Sequence, residues 1–295
     1  MPQCQCYNFV GYGGYSSAAE RRSVAPDVVG SNPTSRPRRL FSFQPNPVTG
    51  LEKRARHCGK IYAGCSGWAY PSWKPDFYPA AVSAKNLLAY YATRLNSVEV
   101  NYTFRSLPTA TTVKAWLDAT SSDFRFSFKA PQRITHILRL KSCQEALDQF
   151  ARSLAPVAEA DRLGVILFQL PPNMKADAER LNTFLGEAKN LDFRLAFEFR
   201  HASWFCPEIY SLLRAHSAAL CIAESDELVT PEEHNATFSC YRFRRSEYSA
   251  NDLAAIRSRL QERATEGDVF AYFKHEESPS GALLAVSLLE GLRVA

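Results

Sequence analysis

The stretch Arg194-Leu195-Ala196-Phe197-Glu198-Phe199-Arg200-His201-Ala202-Ser203-Trp204 decides how this chain is read. An apolar run of β type carries a carboxylate and a guanidinium two residues apart. Positions i and i+2 of a strand face one side, so Glu198 and Arg200 are expected to leave the same face near the strand's C-terminal end. Charges buried without partners are costly. The pair is therefore either a structural clamp or part of a site.

Seven comparable runs flank this one. Strands are expected at 61–65, 97–101, 124–129, 165–170, 194–199, 218–223, 237–243 and 269–273. Helical patterns fill most of the gaps. Ser83 is placed to cap a helix through Leu95, and Pro108-Thr109 opens one through Asp118. Ser142-Cys143-Gln144-Glu145 has the form of a capping box before Ala146, Leu147, Phe150 and Leu154 at helical spacing. Further helices are expected at 175–189, 206–216, 249–264 and 280–292, with an N-cap signature at Ser249-Ala250-Asn251-Asp252.

Alternating strands and helices predict a parallel sheet with helical crossovers. Eight strands in about 235 residues match the size of a (β/α)8 TIM-type barrel. An open doubly wound sheet is the rival, but no G-x-G-x-x-G follows the first strand. The link from Glu224 to Ala236 is short and rich in Pro and acids, so the βα unit near strand 6 is expected to be degenerate.

Residues 1–57 read differently. Gly, Ser, Pro and Arg are frequent, and no period is sustained. Gly30-Ser31-Asn32-Pro33 corresponds to one reading frame of the tRNA T-arm consensus GGTTCGAATCC. The segment is expected to be disordered or a spurious N-terminal extension, with 58–295 as the barrel domain. An organellar transit peptide is the rival reading, since the segment is rich in Arg and Ser and poor in acids.

The net charge of +5 lies entirely in residues 1–57, which hold eight Lys/Arg and three Asp/Glu, and the body is neutral. Nucleic-acid binding thus draws no support from the charge of the body. No apolar run of ~18 residues predicts a membrane span. Eight cysteines without a C-x-x-C pair read as reduced thiols of a cytoplasmic protein.

The strands end in polar groups that packing does not require. Glu99 and Asn101 follow the second, Lys129 the third, Gln169 the fourth, and Glu198, Arg200 and His201 the fifth. Asp226 follows the sixth, Arg242 and Arg244 share a face on the seventh, and Lys274 closes the eighth. In a barrel these ends converge on one mouth, where active sites sit. The expectation is a small-molecule ligand, anionic or oxygen-rich. Glu198 or Glu99 would be the catalytic acid/base. Asn101, Lys129, Gln169, Arg200, His201, Asp226, Arg242 and Lys274 would bind the ligand. The alternatives are a nucleic-acid-binding protein or phosphodiesterase using the same cations on phosphate, and a non-catalytic ligand-binding module. No H-x-H or H-E-x-x-H occurs, so no residues are named for a metal. Cofactor and oligomeric state stay open.

Five motifs in order resemble the YecE-like family, also called domain of unknown function 72. They are Gly64-Cys65-Ser66-Gly67-Trp68, Val98-Glu99-Val100-Asn101-Tyr102-Thr103-Phe104, Phe168-Gln169-Leu170-Pro171-Pro172, Glu198-Phe199-Arg200-His201 and Tyr272-Phe273-Lys274-His275. The resemblance spans about residues 60–292. It implies a TIM-type barrel and transfers no activity. Likeness of that barrel to the endonuclease IV class implies the nucleic-acid alternative, yet this chain lacks the histidine-rich metal set such an enzyme needs. Where many relatives have Arg-Leu-His-Gly on the seventh strand, this chain has Arg242-Phe243-Arg244-Arg245.

Overall fold

A computed structural model of the chain describes residues 58–225, 228–274 and 278–293. The expectations for residues 1–57 and for Asp226 lie outside these. Eight parallel strands run in the order β1-β8-β7-β6-β5-β4-β3-β2. They are β1 (Ile61–Cys65), β2 (Ser97–Val100), β3 (Arg125–Lys129), β4 (Leu163–Gln169), β5 (Arg194–Glu198), β6 (Ala219–Glu224), β7 (Ser239–Phe243) and β8 (Val269–Phe273). The helices are α1 (Leu87–Arg94), α2 (Ala110–Asp118), α3 (Gln144–Glu159), α4 (Ala178–Ala188), α5 (Pro207–Ala215), α6 (Ala250–Ala264) and α7 (Ser280–Arg293). Among the described residues no helix joins β6 to β7, as the Pro- and acid-rich link foretold. The fold is an α/β barrel of the (β/α)8 type, and the doubly wound alternative falls.

The seam between β1 and β2 closes through side chains. No ladder pairs these strands among the described residues. Instead Asn96 accepts from Ala63 N (2.8 Å) and donates to Ile61 O (2.9 Å). The Tyr91 hydroxyl accepts from Cys65 N (2.7 Å) and donates to Ser97 O (3.0 Å). These bonds satisfy backbone groups that a strand neighbour would otherwise take. Gly64 makes the approach possible, because a Cβ there would lie 1.9 Å from Ser97 O.

Strand alternation sorts the residues into two layers. Val98, Val100, Phe126, Phe128, Phe168 and Phe197 face outward and pack under the helices. Tyr62, Val165, Leu167, Ala196, Cys221, Cys240, Phe270 and Tyr272 fill the barrel. Inside, the Tyr272 hydroxyl meets Ser97 Oγ (2.7 Å) and Ser127 Oγ (2.6 Å), so this polar layer is satisfied internally. Above it, toward the strands' C-terminal ends, lie Glu99, Lys129, Glu198 and Arg242 together with the neutral Gln169.

Two caps test the local readings. Ser249 is the expected N-cap of α6, and with Asp252 it closes a capping box. The capping box expected from Ser142 does not form. Ser142 takes φ 49°, and Cys143 is the N-cap, its N–H donating to Glu187 Oε2 (2.9 Å). A carboxylate from α4 thus does the work assigned to a local side chain.

Candidate functional site

Alternation carries five side chains inward at the C-terminal ends: Glu99 on β2, Lys129 on β3, Gln169 on β4, Glu198 on β5 and Arg242 on β7. Gln169 and Glu198 are register partners on adjacent strands. Arg242 lies directly between Ala223 and Tyr272 in the sheet.

Arg242 is the hub. It is 1 % exposed, and its guanidinium grips Glu99 with two bonds, Nε to Oε2 (2.8 Å) and Nη2 to Oε1 (2.6 Å). Its Nη1 donates to Glu198 Oε2. Gln169 Nε2 donates to the other oxygen of Glu198 (2.7 Å), and Lys129 Nζ donates to Gln169 Oε1 (2.7 Å). A continuous chain therefore runs Lys129–Gln169–Glu198–Arg242–Glu99. Bidentate guanidinium–carboxylate pairing is the arrangement that tolerates such burial.

The charges follow from this packing. Burial alone would raise both carboxyls. Arg242 and then Arg244 outweigh it, so Glu99 is lowered, and Glu198, also bonded by Gln169, is held at about 2. Arg242 loses stability as a cation on burial but gains more from Glu198 and Glu99, so it stays charged. Lys129 is different. Burial, and next the charge of Arg242, outweigh the opposing pull of Glu99 and Glu198 and bring it down to about 8. Its nitrogen lies 4.2 Å from the centroid of the Phe104 ring.

Above this chain opens a cleft of about 420 Å3, lined among others by Asn101, Lys129, Gln169, Glu198, Arg200, Arg242 and Arg244. Glu99 sits behind Arg242. The Asn101 amide donates to Ser66 O (3.3 Å), and Arg244 Nη2 donates to Ser66 Oγ (3.3 Å). Among the described residues, neither Lys129 nor Arg200 has a carboxylate within 4 Å. His136 flanks the cleft, its ring edge-on to Phe104 at 5.1 Å. Burial lowers its pKa, as do Lys129, Arg200 and Arg139, which marks a cationic neighbourhood.

Arg200 lines the same cleft as Glu198, as expected, but it lies exposed beyond the end of β5, and Arg242 rather than Arg200 takes the carboxylate. Two residues expected in the cleft lie elsewhere. His201 is not among the residues lining the cleft. It caps the turn Ala202–Trp204, its Nδ1 accepting from Ser203 N (3.2 Å). Lys274, one residue past β8, lines a separate cavity with Arg245, Tyr248 and Ser280. The sequence reading put Arg244 on the face of Arg242 without assigning it to the ligand, and it passed over Phe104. The i, i+2 spacing to Arg242 was the signal for Arg244. No local pattern announces Phe104, because its role depends on the turn Tyr102–Phe104 that ends β2.

Among the described residues no group of three or more His, Cys, Asp or Glu could hold a metal ion, and no helix is long and apolar enough to cross a membrane.

Comparison with known proteins places this barrel among relatives. The sequence model for "Protein of unknown function DUF72" matches residues 62–295. UPF0759 protein YunF of Bacillus subtilis (strain 168) is 31 % identical over 156 residues, 51 % of this chain and 54 % of that protein. UPF0759 protein YecE of Escherichia coli (strain K12) is 32 % identical over 146 residues, 49 % of this chain and 50 % of that one. The matched part thus spans about half the length of these curated relatives. The crystal structure of a DUF72 family protein from Thermotoga maritima MSB8 superposes with a TM-score of 0.71 at 25 % identity, covering 79 % of this chain and 99 % of that one.

Proposed function

The chain belongs to the DUF72 family, and on that premise we propose that it is an enzyme acting on a small, oxygen-rich anion at the C-terminal mouth of its barrel. One observation carries this reading. Glu99, Glu198 and Arg242 close on one another, whereas Lys129 and Arg200 face the cleft with no carboxylate within 4 Å among the described residues. Cations gathered in a concave site attract an anion. Arg244 adds a third positive group on the opposite wall.

The two carboxylates serve this site by position. A general acid or base works best with a pKa near the operating pH. Glu198 at about 2 stays ionised and holds Arg242 and Gln169 in place. Lys129, at about 8, is the cleft group suited to proton exchange near neutrality. A neutral body and the small volume of the cleft favour a small molecule over duplex nucleic acid.

Calorimetric titration with inorganic phosphate, glycerol 3-phosphate and citrate tests the reading. Binding is expected to weaken at least ten-fold in Arg200→Gln and in Lys129→Met, and to weaken in the wild type as pH rises through about 8, where Lys129 loses its charge. Absence of millimolar binding by all three anions, or binding indifferent to both substitutions, would refute it.

A further inference from the structure

We propose that Lys129 is a covalent catalyst: its ε-amine condenses with the carbonyl carbon of a small anionic aldehyde or ketone held in the cleft, forming an imine. This rests on the anion-binding reading above and goes beyond it by naming the substrate class and the reacting atom.

The geometry separates Lys129 from an ordinary anion anchor. An anchor needs only a charge within reach, and Arg200 and Arg244 supply it. Lys129 is instead positioned. Gln169 Nε2 is committed to Glu198, so its Oε1 must face the lysine, and it holds Nζ at 2.7 Å. Glu198 is fixed in turn by Arg242, and Arg242 by Glu99. The orientation of the amine is therefore set by four buried or half-buried side chains, as a reacting group requires. Phe104 lies against the nitrogen and limits its movement on that side.

The same surroundings favour the free amine. The groups that face Lys129 are Glu99 from β2, Gln169 from β4, Glu198 from β5, Arg200 beyond it, Arg242 and Arg244 from β7, and His136 beside Phe104. The carboxylates Glu99 and Glu198 favour the ammonium, but burial and Arg242 outweigh them, and the acceptor touching the lysine is a neutral amide. With its pKa brought down to about 8, roughly a quarter of the lysine is unprotonated at pH 7.5. Desolvation next to another cation is a recognised way to activate an amine toward carbonyls.

The step balances. The nitrogen lone pair forms the N–C bond while the carbonyl π pair moves to oxygen, and a proton passes from nitrogen to oxygen to give the carbinolamine. The nitrogen then expels that oxygen, which leaves as water after taking a second proton. Of the three ammonium hydrogens, one stays on the iminium nitrogen and two depart in the water. Arg200 and Arg244 would hold the anionic end of the substrate throughout, and the iminium can withdraw electrons from the neighbouring carbon.

The test uses the full chain with two probes that differ in one functional group. Glyceraldehyde 3-phosphate carries the carbonyl, and glycerol 3-phosphate carries the same anion without it. With glyceraldehyde 3-phosphate and cyanoborohydride, which delivers hydride to the iminium carbon, peptide mass spectrometry is expected to find Lys129 modified at least ten-fold faster than the exposed Lys60 and Lys114. Glycerol 3-phosphate should suppress that labelling, and Lys129→Arg should abolish it. If glycerol 3-phosphate binds but Lys129 reacts no faster than the exposed lysines, the covalent role is overturned and the anion site stands. If glycerol 3-phosphate does not bind and Lys129 is unreactive, both proposals fall.

Discussion

Replacing Glu198 by Gln removes one negative charge from beside Arg242 while keeping the size and shape of the side chain. Gln169 can still donate to the amide oxygen, and Arg242 keeps both bonds to Glu99. What is lost is the charge-assisted bond from Arg242 Nη1, which meets an NH2 group or must turn away. The Glu198 carboxyl falls from an ordinary value of 4.5 to about 2 in the folded chain. At 1.36 kcal/mol per unit this amounts to roughly 3 kcal/mol of stability, at the lower edge of the ~3–5 kcal/mol typical when one partner of a buried pair is removed. In a domain of this size that lowers the melting temperature by roughly 6–12 °C. The sign of the pH dependence follows. Because folding depresses the pKa, the stabilisation is complete above 4.5 and is lost as pH falls toward 2. Urea unfolding of wild type and Glu198→Gln at pH 7, 5, 4 and 3 should therefore show a gap that is full at pH 7 and reduced to less than half by pH 3. A variant melting within about 2 °C of wild type at pH 7, or a gap that does not shrink with acid, would refute the clamp.

Lys129→Met is expected to stabilise the fold, since burial disfavours the ammonium. The advantage should shrink as pH rises from about 8 toward 10.5, where the wild-type lysine no longer bears the charge, and paired thermal melts across that range check it. Arg200 is exposed, so Arg200→Gln should leave stability within about 0.5 kcal/mol by urea titration while weakening phosphate binding. Cys65, Cys221 and Cys240 are buried, and burial raises the pKa of Cys65 and Cys221. Iodoacetamide at pH 8 should label the exposed Cys58 in the native protein, and these three only after denaturation, as read by peptide mass spectrometry.

Local chemistry in the sequence was enough for the barrel and for most of its mouth. Eight apolar runs at the spacing of βα units foretold the strands, and period-two alternation correctly turned Glu99, Lys129, Gln169, Glu198 and Arg242 inward. That rule holds only while the chain stays extended. It failed at Lys274, just past β8, which lines another cavity where the strand has ended. The capping box at Ser142 failed for a related reason: a carboxylate 44 residues away reached the Cys143 N–H first. The partners themselves were invisible in the sequence. Arg242 meets Glu99 across 143 residues and from strands that are not neighbours in the sheet. Only closure of the barrel brings them together. That closure commits both carboxylates to Arg242 and leaves Lys129 bonded to a neutral amide, an arrangement that depends on charge pairing between distant parts of the chain and that no local pattern shows.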